Sequence, residues 1–141
     1  LALAALDAAL RAHHLEAGFQ LYARAFDNAC RDSASGDASY VGINAAAMAV
    51  LKGDFKRARA IAREVRRICE RDRSAGESAS SPYWREATLG EAALILGEPD
   101  AAALHYRRAA DLAGSRFGDI SSTRRQFWLP LTRMSVSPSS E

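Results

Sequence analysis

One glycine-centred turn between two helical patterns constrains this chain more than any other feature. Between Tyr40 and Glu70, YVGINAAAMAVLKGDFKRARAIAREVRRICE, apolar residues recur every three or four positions on both sides of Lys52-Gly53-Asp54. That spacing marks helices with one buried face. Gly53 suits the left-handed residue that ends a helix, and Asp54 suits the N-cap of the next. Ahead of the turn, Ala45, Ala46 and Ala49 are small enough for a neighbouring helix to come close. Behind it, Ala58, Ile61, Ala62, Val65, Ile68 and Cys69 form one stripe, and Lys56, Arg59, Arg63 and Arg67 lie opposite. The stretch reads as a helix hairpin.

The flanks carry the same period. Residues 1–12 form an apolar helix with Leu3, Leu6 and Leu10 on one side, and His13-His14-Leu15-Glu16 is expected to make a turn. A second helix, Glu16 to Arg31, follows with Leu15, Phe19, Tyr22, Phe26 and Cys30 as its stripe. Two polar runs, Ser33 to Ser39 and Arg71 to Ser81, read as loops. Pro82 opens a helix, because the first turn tolerates its missing N–H. That helix ends at Gly97, and Glu98-Pro99-Asp100 starts another, with Ala102, Leu104, Tyr106, Ala109 and Leu112 as its stripe. A last helix is expected near Ser121, with Phe127, Trp128 and Leu131 capping the end of the array, and residues 135–141 read as a disordered tail.

The hairpins are copies of one unit. Aligning Gly53 with Gly97 sets Ala46 over Gly90, Ala58 over Ala102 and Ala62 over Tyr106. Gly18, Tyr22 and Ala25 fall on the Ala58, Ala62 and Val65 positions. A small residue, a glycine turn, an alanine and an aromatic in this order match the tetratricopeptide repeat of roughly 34 residues. The expected fold is therefore all-α: one domain over 1–134, a tetratricopeptide-like α-solenoid of about three helix hairpins plus a C-terminal capping helix.

The resemblance narrows further on particular runs. Gly42-Ile43-Asn44-Ala45-Ala46, Tyr83-Trp84 with Ala87-Thr88 and Glu91-Ala92, and Ser122-Thr123-Arg124-Arg125-Gln126 resemble the TRAFs-binding domain of the apoptosis signal-regulating kinases and its bacterial relatives. In those kinases the region is a non-catalytic helical scaffold that regulates the catalytic domain and receives adaptor proteins. The resemblance implies a regulatory, protein-binding module. A glycine-rich loop, an HRD and a DFG are all missing, so the kinase activity does not carry over, nor does the adaptor.

Composition sets the remaining bounds. With 48% apolar and 26% charged residues and a formal net charge of +2, a solvated domain with a real core is expected. The pI near 8.8 falls short of a nucleic-acid footprint. The arginines between Arg57 and Arg73 are offset by Glu64, Glu70 and Asp72 and read as a solvated outer face. Cys30 and Cys69 have no ligand-spaced partners and read as two buried apolar side chains in a reducing cytoplasm. LALAALDAAL lacks a basic leader and carries Asp7, and no run reaches the ~20 apolar residues a bilayer needs. The start inside a helix without an initiator Met suggests a piece of a longer protein. No catalytic, cofactor or metal motif stands out, and His13, His14 and His105 have no ligand spacing.

Binding in stacked repeats falls to the first helix of each hairpin, which lines the concave face. Counted from the glycine turns, that face holds Asp7, Arg11, Asn44, Trp84, Thr88 and Glu91, with Ile43, Ala47 and Val50 beside them. One aromatic, one amide and charges of both signs suit a protein or peptide partner. Asn44 has a structural alternative, a bond to a neighbouring backbone carbonyl. The function expected is a non-catalytic scaffold. The alternative is an oligomerisation module pairing through its apolar end helices, with nucleic-acid binding through Arg57–Arg73 behind both.

Overall fold

The computed structural model describes residues 1–32, 35–76 and 81–114, which are helical in five segments without a strand. These are α1 (Ala2–Arg31), α2 (Ser35–Lys52), α3 (Phe55–Ala75), α4 (Pro82–Ile95) and α5 (Pro99–Ala113).

The two glycine turns are built alike. Gly53 and Gly97 take φ 83 and 78, the left-handed region that favours glycine. Asp54 N–H donates to Ala49 O and Glu98 N–H to Ala93 O, both at 2.9 Å. Gly53 N–H and Gly97 N–H reach Val50 O and Leu94 O at 2.9 and 3.0 Å. Each turn thus satisfies two carbonyls that the ending helix leaves without partners. Asp54 then caps α3, its side chain accepting from Arg57 N–H at 3.1 Å, and Ser81 caps α4 by accepting from Trp84 N–H at 3.4 Å. Ala58 and Ala102 sit buried just after the turns.

Packing follows chain order, with one addition. α1 lies on α2, α2 pairs with α3, α4 rests on both α3 and α2, and α5 pairs with α4. The main core joins Phe19 and Phe26 of α1 to the alanine face of α2, the whole expected stripe of α3, and Leu89, Ala92 and Ile95 of α4. A smaller cluster, Tyr83, Ala87, Ala109 and Ala113, joins α4 to α5. At Gly42 three helices meet so closely that a Cβ would lie 2.6 Å from both Phe26 and Val65.

Several boundaries differ from the sequence reading. Ala2–Arg31 is one helix of 30 residues, not a hairpin, so the described residues hold two hairpins and a single leading helix. His-His-Leu-Glu holds no glycine or proline to stop a helix, and Glu16 bonds forward to Gln20 at 2.9 Å. Gly18 stays helical with its open side against Met48. α2 begins at Ser35, inside the expected first loop, because Ala38 and Ser39 are buried and tie that turn down. α3 runs on to Ala75 and stops at Gly76, φ 68, with Asp72 buried. On α5 the buried row is Ala102, Ala109 and Ala113, and Leu104 and Leu112 fall off it into solvent. Cys69 is buried as expected, its thiol pushed up to about 12 by burial, but Cys30 is exposed. The expected last helix and tail lie outside the described residues.

Candidate functional site

The open face of α2 carries Tyr40, Asn44, Ala47 and Leu51, at helical steps of four, three and four residues. Buried alanines hold the opposite side of that helix against α1 and α3. The corresponding positions of α4 are Trp84, Thr88, Glu91 and Ile95 at the same steps, and there Trp84 is exposed, Thr88 half-buried, and Glu91 and Ile95 buried. Tyr40 and Trp84 each stand thirteen residues before their turn glycine, Asn44 and Thr88 nine, Ala47 and Glu91 six. The two helices pack on each other. Tyr40 is 62% exposed and Trp84 45%, so both aromatics stand open at equivalent places.

Each expected site residue has a definite position. Trp84 and Thr88 lie on the α4 face, with Trp84 edge-on to Tyr83 at 5.0 Å. Asn44 donates from Nδ2 to Tyr40 O at 2.8 Å, the backbone bond its structural alternative describes. Glu91 shares their face but is 8% exposed, too deep for a fully open charge. Burial pushes its carboxyl up to about 7. Tyr106 lies beside it, its phenol raised first by burial and then by the charge of Glu91. Asp7 and Arg11 sit on exposed α1, which has no packing with α4, and Arg11 Nε reaches the backbone oxygen of Asp7 at 3.4 Å. They do not join Trp84. Ile43 and Val50 belong to the core rather than to the open face.

Two features escaped the sequence reading. Tyr40 read as a helix start, although its distance from Gly53 equals that of Trp84 from Gly97. His105 is not isolated, because its Nδ1 lies 2.8 Å from Oε2 of the nearly buried Glu86, with Arg73 4.0 Å from the other carboxylate oxygen. This cluster ties α3, α4 and α5 together.

Some of the outer arginines are engaged. Arg66 pairs with Glu98, Arg67 with Glu64, and Arg57 lies over the Phe19 ring at 5.8 Å. Lys52 bridges to Glu16 of α1. No helix among the described residues is long and apolar enough to cross a membrane. Compared with known protein families, curated proteins and solved structures, the chain matches none.

Proposed function

We propose that the chain is a non-catalytic, tetratricopeptide-like module that binds a protein or peptide segment across the open faces of α2 and α4. On this reading it regulates a larger polypeptide in the cytoplasm, as the resemblance to the TRAFs-binding domain implies, and needs no cofactor. One observation carries it: Tyr40 and Trp84 stand exposed at equivalent positions of adjacent helices. Exposed aromatics in register supply large contact area at little entropic cost, which is why they dominate binding hot spots. Helices in contact lie ~8–10 Å apart, and an extended chain advances ~3.3 Å per residue. The two rings therefore suit apolar side chains about three residues apart on an extended peptide.

Selection of a displayed peptide library on the full chain tests this. Enriched peptides should carry such a pair and lose at least tenfold in affinity with Tyr40→Ala and Trp84→Ala combined. The control is Arg63→Glu with Arg67→Glu on α3. Binding abolished by the arginine pair and indifferent to the aromatics would move the site to the outer face.

A further inference from the structure

Of the nine exposed large apolar residues among those described, four lie on α1, Leu3, Leu6, Leu10 and Leu21, and Leu1 stands at its N-cap. The buried residues of α1 are Phe19, Ala23 and Phe26, so its first half extends beyond what α2 covers. At 3.6 residues per turn, Leu3, Leu6, Leu10 and Leu21 share one side of the helix, opposite Phe19, Ala23 and Phe26. α1 thus has two apolar stripes, one packed and one open. An isolated helix as short as the uncovered half, about 14 residues, is marginal in water and gains most from a partner on its apolar side.

We infer that the open stripe of α1 pairs antiparallel with the same stripe of a second copy of this chain. Charge selects that occupant. Asp7 and Arg11 flank the stripe on one side, one turn apart, and no ion pair joins them, since Arg11 turns to a backbone oxygen. In an antiparallel pair centred at the level of Ala9, Asp7 of each copy faces Arg11 of the other, and Leu6 and Leu10 interlock between them. Such a surface is its own complement, as a two-fold interface requires. The arm carries one acid and one arginine, not the basic polar face by which amphipathic helices bind anionic lipid.

Sedimentation of the 141-residue chain across concentration tests this. The stripe is shorter than a standard interface of ~800 Å² per partner, so the dimer should form at tens of micromolar, in order of magnitude. Leu6→Glu with Leu10→Glu should give a monomer throughout that keeps the cooperative unfolding transition of the core, because both lie outside the core. Asp7→Arg alone should weaken association by roughly tenfold, in keeping with one close charge pair turned repulsive on each side, and adding Arg11→Asp should restore it. A wild-type chain that stays monomeric overturns the inference. So does association that survives the leucine substitutions, or that is lost instead with Leu104→Glu and Leu112→Glu on α5. Failure of the charge swap to restore pairing overturns the antiparallel arrangement.

Discussion

The hairpins α2/α3 and α4/α5 share a turn and differ in what fills the space between their helices. In the first, Ala46 and Ala62 are both fully buried, two small residues at the crossing. In the second, the same positions hold Gly90 and Tyr106, and a Cβ on Gly90 would lie 2.6 Å from the Tyr106 ring. One side lost its methyl where the other gained a ring. The difference teaches that the unit conserves a crossing volume rather than a residue type, as close-packed interiors require. The hairpins differ as well at the position of Glu91. At the Ala47 position of the first hairpin the helix face is half open, whereas Glu91 is buried and near enough to Tyr106 for its charge to raise that phenol.

Removing the ring attacks the comparison most directly. Tyr106→Ala should empty the crossing and destabilise the fold by about 3–5 kcal/mol, the range for a buried aromatic. Gly90→Ala should cost about 1–3 kcal/mol by overpacking. The double variant rebuilds the Ala–Ala pair of the first hairpin, so the two costs should fall short of adding, as expected for residues in contact. Urea unfolding of all four chains measures the coupling. Strict additivity would mean that Gly90 and Tyr106 do not share one space.

A smaller effect comes from Glu91. Its carboxyl rises from an ordinary 4.5 to about 7 through burial. Between those values the folded chain still holds a proton that the unfolded chain has released. Stability should therefore fall as pH rises through that window, by roughly 3 kcal/mol in all, at 1.36 kcal/mol per unit. Below the window the group has no effect, and above it the loss is complete. Glu91→Gln should flatten this slope and make the variant the more stable chain at pH 8, by thermal melts at pH 5 and 8. Equal slopes with and without Glu91 would place the carboxylate in water, like its counterpart position in α2.

Much of this was legible in the chain. The six-residue stripe of α3 is buried to the last member, because a strong 3.6-residue period with arginines opposite leaves one way to pack. The glycine turns followed from the left-handed conformation that glycine alone adopts cheaply. What failed had weak local signals. The His13–Glu16 run contains no breaker, and alanine-rich sequence on either side lets one helix run through. The Ser35–Ser39 residues are poor helix formers, yet Ala38 docks in the core and tertiary contact overrides propensity. Leu104 and Leu112 were placed inside by hydrophobicity, whereas smaller alanines hold the buried row. Glu91 was expected at an open face, since no local pattern reports how deeply neighbouring helices bury it. Tyr40 was hidden by its place in the first turns of α2, and its match to Trp84 emerges from counting back from each glycine.

The smallest expected effect tests the feature the hairpins share. Gly53→Ala and Gly97→Ala each place a Cβ on a left-handed backbone, with φ 83 and 78, and nothing lies within 4 Å of either added atom. The cost is then backbone strain alone, about 1–2 kcal/mol for an L-residue in this region. Part of it is offset by about 0.4–1 kcal/mol, because alanine also restricts the unfolded chain. A net loss near 1 kcal/mol is expected at both sites. The neighbouring caps differ: the Asp54 carboxylate accepts from Arg57 N–H, whereas Glu98 turns to Arg66 and leaves the helix start without a side-chain bond. If the turns are equivalent in energy as well as in geometry, that contrast should not reach the glycines. The two losses should then agree within about 0.5 kcal/mol, the spread of independent sites. A much larger loss at Gly53, in parallel urea titrations, would show that the Asp54 cap and its turn act as one unit, and the likeness of the hairpins would stop at their backbone.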